Sequence, residues 1–337
     1  MKRGYNIFRN CKRILVLGGY GVKNYGDEAI LAGIKETIEE QNAKCKMEVF
    51  SFNKEEIRKM HNLQGRNFID LIVRFLTYDT ILIGGGTIFR ENMRFRAQII
   101  PLFTLISTLF GKRIIFYSLG IDKKTPLLVR FFLVYAMNVA DFVSVRENDS
   151  KEILKKWGLA KKIHIVPDPA IRLKGVLLSR QEMKNIGIPS KKRYIILSLR
   201  YVKRKNDLIF LNGLVEELRN VIKKGYTIVF IPFSKNPYSP FENDLFLGRK
   251  IKSLLGENCI ILEKEIFPGS LKGLVSEADL VIAMRLHAMI FAVSTKVPLL
   301  GISYSQKCSS FLKENGQKVY SLTNPDLSDI ESLLRNK

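Results

Sequence analysis

The sequence predicts an α/β protein made of two tandem Rossmann-like, doubly wound domains that face each other across a cleft. Three observations predict it. Short β-rich runs alternate with longer helical patterns from end to end, as they do where crossover helices join parallel strands. The alternation breaks and restarts at Val166-Pro167-Asp168-Pro169, where each proline disfavours helix at its predecessor and fixes its own φ. A chain of 337 residues is also about two typical domains long. The domains are therefore expected at 1–170 and 171–337.

In the first half, strands are expected at Arg13–Leu17, Cys45–Ser51, Thr80–Ile83, Arg113–Ser118, Phe142–Val145 and Lys162–Val166. Helices are expected between them at Glu28–Glu40, Phe68–Leu76, Ala97–Leu109, Pro126–Val139 and Ser150–Trp157. After the proline break, strands recur at Tyr194–Leu199, Thr227–Pro232, Cys259–Leu262, Leu280–Ala283 and Pro298–Ile302, with a terminal helix at Asp326–Leu334. Ligands of such sheets collect at the carboxyl ends of the strands, so functional residues are sought there.

Lys and Arg total 55 against 32 Asp and Glu, a formal charge of +23 that attracts anions. Nucleic acid is disfavoured, because the basic residues are scattered in short clusters (Lys191, Lys192, Arg193; Lys203, Arg204, Lys205) and neither a zinc spacing nor an aromatic RNA-binding signature occurs. An acidic membrane surface and a small anionic substrate remain. Cys11, Cys45, Cys259 and Cys308 are far apart in sequence and read as reduced thiols of a cytoplasmic protein. No secretory signal is read at the N-terminus, and the longest apolar run, Ile99–Phe110, falls short of the ~18 residues that a membrane span needs. That run follows Arg90, Arg94 and Arg96, and Leu127–Met137 carries Arg130 among aliphatic and aromatic residues. Both segments read either as core helices with solvated flanks or as a basic, apolar surface resting on an acidic bilayer.

Several strand ends carry chemistry. Gly18-Gly19-Tyr20-Gly21 follows an Ile/Leu/Val strand, and Asn24-Tyr25-Gly26-Asp27-Glu28 then opens a helix, a setting in which glycine admits a close ligand and N–H groups meet an anion. The spacing is not that of a dinucleotide fingerprint. Asp27 and Glu28 cap the helix, or one of them serves as base or hydroxyl ligand. Gly84-Gly85-Gly86 reads as a turn against a ligand. Arg146 is placed to grip a carboxylate or phosphate, the alternative being a surface pair with Glu147 or Asp149. Arg200 repeats that placement in the second half. His287, one residue from Arg285 at a strand-to-helix turn, reads as an acid–base group, since a cation and a helix start both lower an imidazole pKa, a direction that suits a proton donor and acceptor near neutrality. Ser303 and Tyr304, near Lys307, suit a phosphate or equally an ordinary loop. No spacing of Asp, Glu and His forms a metal signature, so no metal or resident cofactor is expected.

Taken in order, these stretches resemble the polysaccharide pyruvyl transferase family. The resemblance rests on Gly19-Tyr20-Gly21 with Asn24 and Gly26-Asp27-Glu28-Ala29-Ile30-Leu31; on Gly84-Gly85-Gly86; on Arg146 with Ser150; on Asp168-Pro169-Ala170; and on Met284-Arg285-Leu286-His287-Ala288 with Val297-Pro298 and Gly301-Ile302-Ser303-Tyr304. The resemblance implies a GT-B-like fold, phosphoenolpyruvate as co-substrate, and a saccharide or lipid-linked saccharide acceptor with two hydroxyls. It implies roles for Arg146, His287 and Arg285, the N-terminal domain serving the acceptor and the C-terminal domain the donor. One segment departs from the family: Leu119-Gly120-Ile121-Asp122-Lys123 stands where Gln-Gly-Ile-Gly-Pro is usual. The alternatives are a nucleotide-sugar glycosyltransferase on the same architecture and a non-catalytic module binding acidic glycans.

Overall fold

A computed structural model describes the chain except for residues 1–5, 52, 92, 94, 189–192, 202–206, 236–242, 322–326 and 336–337. It divides into two compact units, Met1–Val22 with Ile30–Arg172, and Lys23–Ala29 with Leu173–Lys337.

The first unit contains β1 (Arg13–Leu17), α1 (Tyr25–Gln41, whose first residues group with the second unit), β2 (Lys46–Phe50), α2 (Lys54–His61), β3 (Gln64–Arg66), α3 (Phe68–Arg74), β4 (Thr80–Phe89), α4 (Phe95–Leu109), β5 (Arg113–Ile121), α5 (Leu127–Val139), β6 (Phe142–Val145), α6 (Asn148–Lys156), β7 (His164–Ile165) and α7 (Pro169–Arg172). The strands form one parallel sheet in the order β3-β2-β1-β4-β5-β6-β7, so the chain reverses its direction of travel between β1 and β4. In such sheets the crevice at the reversal is where ligands collect. Ile81, Ile83, Ile114 and Phe116 turn one face of the sheet toward α3, α4, α5 and α6, and this side holds one continuous core. Leu82 and Gly84 point the other way, toward Ile34 of α1.

Glu48 of β2 ties the sheet edge together. Its carboxylate accepts hydrogen bonds from Arg66 at 2.5 Å and Tyr78 at 2.8 Å, and pairs with Arg13. Burial alone would raise its pKa, but these three donors outweigh it and hold the carboxyl at about 2. A depressed folded pKa stabilises the native state above the unfolded carboxylate pKa of about 4.3, and that contribution disappears as pH falls toward 2. Thermal stability is therefore expected to fall as pH drops from about 4.5 to 2. Glu48→Gln should be less stable at pH 7 and flatter across that window; equal pH slopes for the two proteins would contradict the assignment.

The second unit contains α8 (Arg180–Asn185), β8 (Tyr194–Ser198), α9 (Asp207–Lys223), β9 (Thr227–Phe230), α10 (Leu245–Leu255), β10 (Cys259–Ile261), α11 (Pro268–Ser276), β11 (Leu280–Ala283), α12 (Leu286–Thr295), β12 (Leu299–Ser303), α13 (Gln306–Glu314), β13 (Val319–Ser321) and α14 (Asp329–Arg335). Its parallel sheet runs β10-β9-β8-β11-β12-β13, again with a reversal beside the first strand. Leu211, Leu214, Leu218 and Ile251 of α9 and α10 cover one face with Ile195, Leu197 and Ile282. On the other, the Tyr194 hydroxyl donates to the Leu274 carbonyl of α11 at 2.6 Å.

Several features depart from the sequence reading. The division falls after Arg172 rather than 170, and Lys23–Ala29 joins the second unit. The cause is local bonding: the Tyr25 amide donates to Phe233 O at 2.8 Å, the Ile266 amide donates to the Tyr25 hydroxyl at 3.1 Å, and Lys23 pairs with Glu265 at 2.9 Å. The Gly84-Gly85-Gly86 run is not a turn but the interior of β4, which continues to Phe89 beside a β5 that continues to Ile121. Two thiols distant in sequence meet, because Cys45 hydrogen-bonds Cys11 and holds that thiol down to about 7. The clusters at 191–192 and 203–205 lie outside the described residues.

Candidate active site

In the first unit the glycine-rich segments follow from packing. Gly85 and Gly86 have φ of 71° and 74°, a region where residues with a Cβ are strained. A Cβ on Gly85 would also stand 1.9 Å from Cγ2 of Ile30 in α1. The Tyr20 ring folds over Gly18 and is buried, its hydroxyl donating to Gly84 O at 2.5 Å. Tyr20, Gly84, Gly85 and Gly86, expected to touch substrate, are buried and hold β1, β4 and α1 together, as does Gly21 against Ser51; Gly19 is exposed.

Arg146 follows β6, and its side chain is only 5% exposed. Nε donates to Glu147 at 2.6 Å, Nη1 to Asp168 at 3.1 Å and Nη2 to Thr87 at 3.1 Å. Burial opposes the guanidinium's charge, yet Glu147 and Asp168 outweigh it and raise the pKa. Two carboxylates thus already bond the guanidinium that was expected to grip an anion. Gly120, in the segment that departs from the family, lies against this network: a Cβ there would be 2.9 Å from Nη2 of Arg146.

In the second unit, the first turn of α1 meets the start of α12. Asn24 caps α1, its Oδ1 accepting from the Gly26 amide at 3.0 Å. The His287 imidazole rests on Gly26, where a Cβ would lie 2.1 Å from Nδ1. Asp27, half-buried, and Glu28, buried, come next along that helix. Thus His287 and the two acids, 259 and 260 residues away in sequence, are carried by adjoining helix starts. Of the other histidines, His61 is buried and His164 stacks on Phe142 with ring centroids 4.8 Å apart.

Arg285 caps α12 and forms a bidentate pair with buried Asp244, Nε to Oδ2 at 2.9 Å and Nη2 to Oδ1 at 2.5 Å. Burial pushes the Asp244 carboxyl up, against Arg285, the Ser234 amide and Arg200. Arg200, just beyond β8, is differently placed. Its Nη1 donates to the Tyr304 hydroxyl at 3.0 Å, and its carbon Cζ stands 4.7 Å from that ring's centroid. Its Nε is buried without a hydrogen-bond partner, and no carboxylate pairs with it among the described residues. Ser303 closes β12 and donates to Ser305 O at 3.1 Å. The starts of α12 and α13 lie at the strand ends and carry no side-chain cap, a setting in which helix amides can meet an anion.

A family profile for polysaccharide pyruvyl transferase matches residues 24–306. The chain belongs to the polysaccharide pyruvyl transferase family. Membership makes it a polysaccharide-modifying transferase and implies a saccharide acceptor. No curated protein sequence matches the chain. Among solved structures, a Listeria monocytogenes protein assigned as a UDP-N-acetylglucosamine 2-epimerase is similar at 15% identity and TM-score 0.65, over 96% of this chain and 88% of that one. The Neisseria meningitidis UDP-GlcNAc 2-epimerase bound to UDP-GlcNAc is similar at 12% identity and TM-score 0.62, over 96% and 89%. The Escherichia coli ADP-heptose LPS heptosyltransferase II is similar at 15% identity and TM-score 0.52, over 96% and 99%. At these identities the likeness is one of fold, and it places this pyruvyl transferase relative among GT-B-like proteins of two Rossmann-like units.

Asp244 escaped the sequence reading, and Thr87, Glu147 and Asp168 were not read as partners of a buried cation. Asp244 sits 41 residues before Arg285 in a stretch with no motif. The one signal for it was an Asp directly before a helical apolar run. Among the described residues no group of three or more His, Cys, Asp or Glu is arranged to hold a metal ion.

Proposed function

We propose that the protein transfers the enolpyruvyl carbons of phosphoenolpyruvate onto two hydroxyls of a saccharide, forming a pyruvate ketal and releasing phosphate. The observation that carries this reading is Arg200. Among the described residues it is the one of the three strand-end arginines (146, 200 and 285) with no carboxylate hydrogen-bonded to its guanidinium, and uncapped helix starts share its end of the sheet. Such a set suits a small, densely charged anion.

In this reading Arg200, with the amides of α12 and α13, holds the donor's phosphate and carboxylate. Arg285 and Asp244 fix the start of α12. His287 delivers a proton to the methylene carbon, which becomes the methyl group and leaves an oxocarbenium-like centre at C2. One acceptor hydroxyl attacks C2 and loses its proton to Asp27 or Glu28. The C2–O bond to phosphate breaks, the second hydroxyl closes the ring, and its proton leaves on the phosphate. Two hydroxyl protons are thus accounted for by one new C–H bond and one monohydrogen phosphate.

A nucleotide-sugar glycosyltransferase is the second reading, favoured by the likeness in fold to sugar-nucleotide enzymes. Thermal unfolding with phosphoenolpyruvate and with a nucleotide-sugar panel separates the two. A ligand at about 100 times its dissociation constant stabilises by about 2.7 kcal/mol. Phosphoenolpyruvate is expected to give this stabilisation in the wild type and none in Arg200→Ala. A response to nucleotide sugars alone would replace the reading with the second.

A further inference from the structure

We propose that the outward face of α3, α4 and α5 docks on an anionic lipid bilayer. The three helices pack inward on the same core, through Leu71, Phe103 and Leu133 among others, so their outward faces lie on one side of the first unit's sheet. Of the twenty-three exposed large apolar side chains among the described residues, sixteen fall between Phe68 and Val139. On α4, Phe95, Ile99, Leu102, Ile106 and Leu109 recur every three or four residues and so form one stripe. Leu128, Phe131, Tyr135 and Val139 form the stripe on α5, and Ile69, Ile72 and Val73 the one on α3.

The inner side of α4 shows the reverse polarity. Thr104 and Ser107 are fully buried, their hydroxyls folded back onto the carbonyls of Ile100 and Phe103 at 2.8 Å each, while Leu109 is 84% exposed. A helix facing water has the opposite arrangement, with hydroxyls out and leucines in. A contiguous apolar surface of this extent on a soluble monomer marks an interaction site.

Charge decides the occupant. Neither α4 nor α5 contains an acidic residue. Residues 68–139 hold nine Lys and Arg against four Asp and Glu. Exposed Lys123 and Lys124 precede α5. Half-buried Lys112 follows α4, bonded to the Leu76 and Tyr78 carbonyls. Apolar stripes rimmed by cations complement lipid acyl chains and phosphate headgroups, whereas a second copy would bring the same positive rim against itself. No helix among the described residues is long and apolar enough to cross a membrane, so the contact is one of helices lying in the interface. It does not depend on the donor chemistry above.

The test is sedimentation of the full chain with phosphatidylcholine vesicles, with and without about a third phosphatidylglycerol. The wild type is expected to pellet with the anionic vesicles and far less with the neutral ones. Each apolar side chain entering the bilayer contributes about tenfold in partitioning, so Leu102→Gln/Leu109→Gln/Phe131→Gln should bind at least about 100-fold more weakly. Circular dichroism should show the variant folded, since all three positions are exposed. Wild-type protein that stays in the supernatant, or a triple variant that pellets as well as the wild type, overturns the proposal. A wild-type dimer that the triple variant converts to monomer overturns it too, and makes the face an interface between copies.

Discussion

His287→Ala is expected to lower turnover by about 10²–10⁴-fold, the usual contribution of a positioned proton donor or acceptor. The imidazole is half-buried on the Gly26 backbone rather than packed in the core, so the substitution should leave the melting temperature within a few degrees of the wild type. Phosphoenolpyruvate should still stabilise the variant, because Arg200 is untouched. Gly26→Ala tests position separately from presence. The new Cβ would be 2.1 Å from Nδ1, and the ring can yield only by swinging away. Alanine is the better helix former by about 1 kcal/mol, so the backbone of α1 should not suffer. A loss of turnover without a loss of stability in both variants is the expected pair of results. Turnover within a few-fold of wild type in His287→Ala removes the imidazole from the chemistry.

The alternating architecture could be read from the sequence because parallel strands covered on both faces appear as short apolar runs such as Ile14-Leu15-Val16-Leu17 and Leu280-Val281-Ile282-Ala283. Where that signal fails, the reading fails. β3 is Gln64-Gly65-Arg66, a strand with no apolar residue, recruited by register with β2 and by the pair between Arg66 and Glu48. The ends of β4 and β5 were hidden by glycine, which in a lone sequence reads as a turn. Here glycine is demanded by the approach of Ile30 and by shifts in strand register after Gly86 and Phe116.

The candidate site was legible as positions but not as partnerships. A strand end names the residue at the sheet's carboxyl edge; it does not reveal which distant carboxylate neutralises that residue. Arg146, Arg200 and Arg285 look alike in sequence, each following an apolar strand. They differ because Asp168 and Glu147 reach the first and Asp244 reaches the third. Exposure on α4 and α5 could be raised from the sequence but not decided, since an apolar helix has the same composition whether its stripe faces a core or a membrane.

Arg146→Ala is expected to act on stability first. Removing one partner of a buried ion pair costs about 3–5 kcal/mol, because the remaining charge stays desolvated. For a unit of this size each kcal/mol is worth about 2–4 °C, so the melting temperature should fall by about 10 °C. Asp168 is 4% exposed and keeps the Ala170 amide on its other oxygen, so it cannot turn to water without breaking the start of α7. Removing the charges together should relieve the penalty: Arg146→Met/Glu147→Gln/Asp168→Asn is expected to recover most of the stability that Arg146→Met loses. Turnover measured well below the melting temperature then distinguishes a strut from a clamp. A strut predicts that the triple variant regains activity along with its fold. An unchanged melting temperature in Arg146→Ala, with turnover and the phosphoenolpyruvate response abolished, would return Arg146 to the role of anion grip and require Glu147 and Asp168 to move aside when the donor binds.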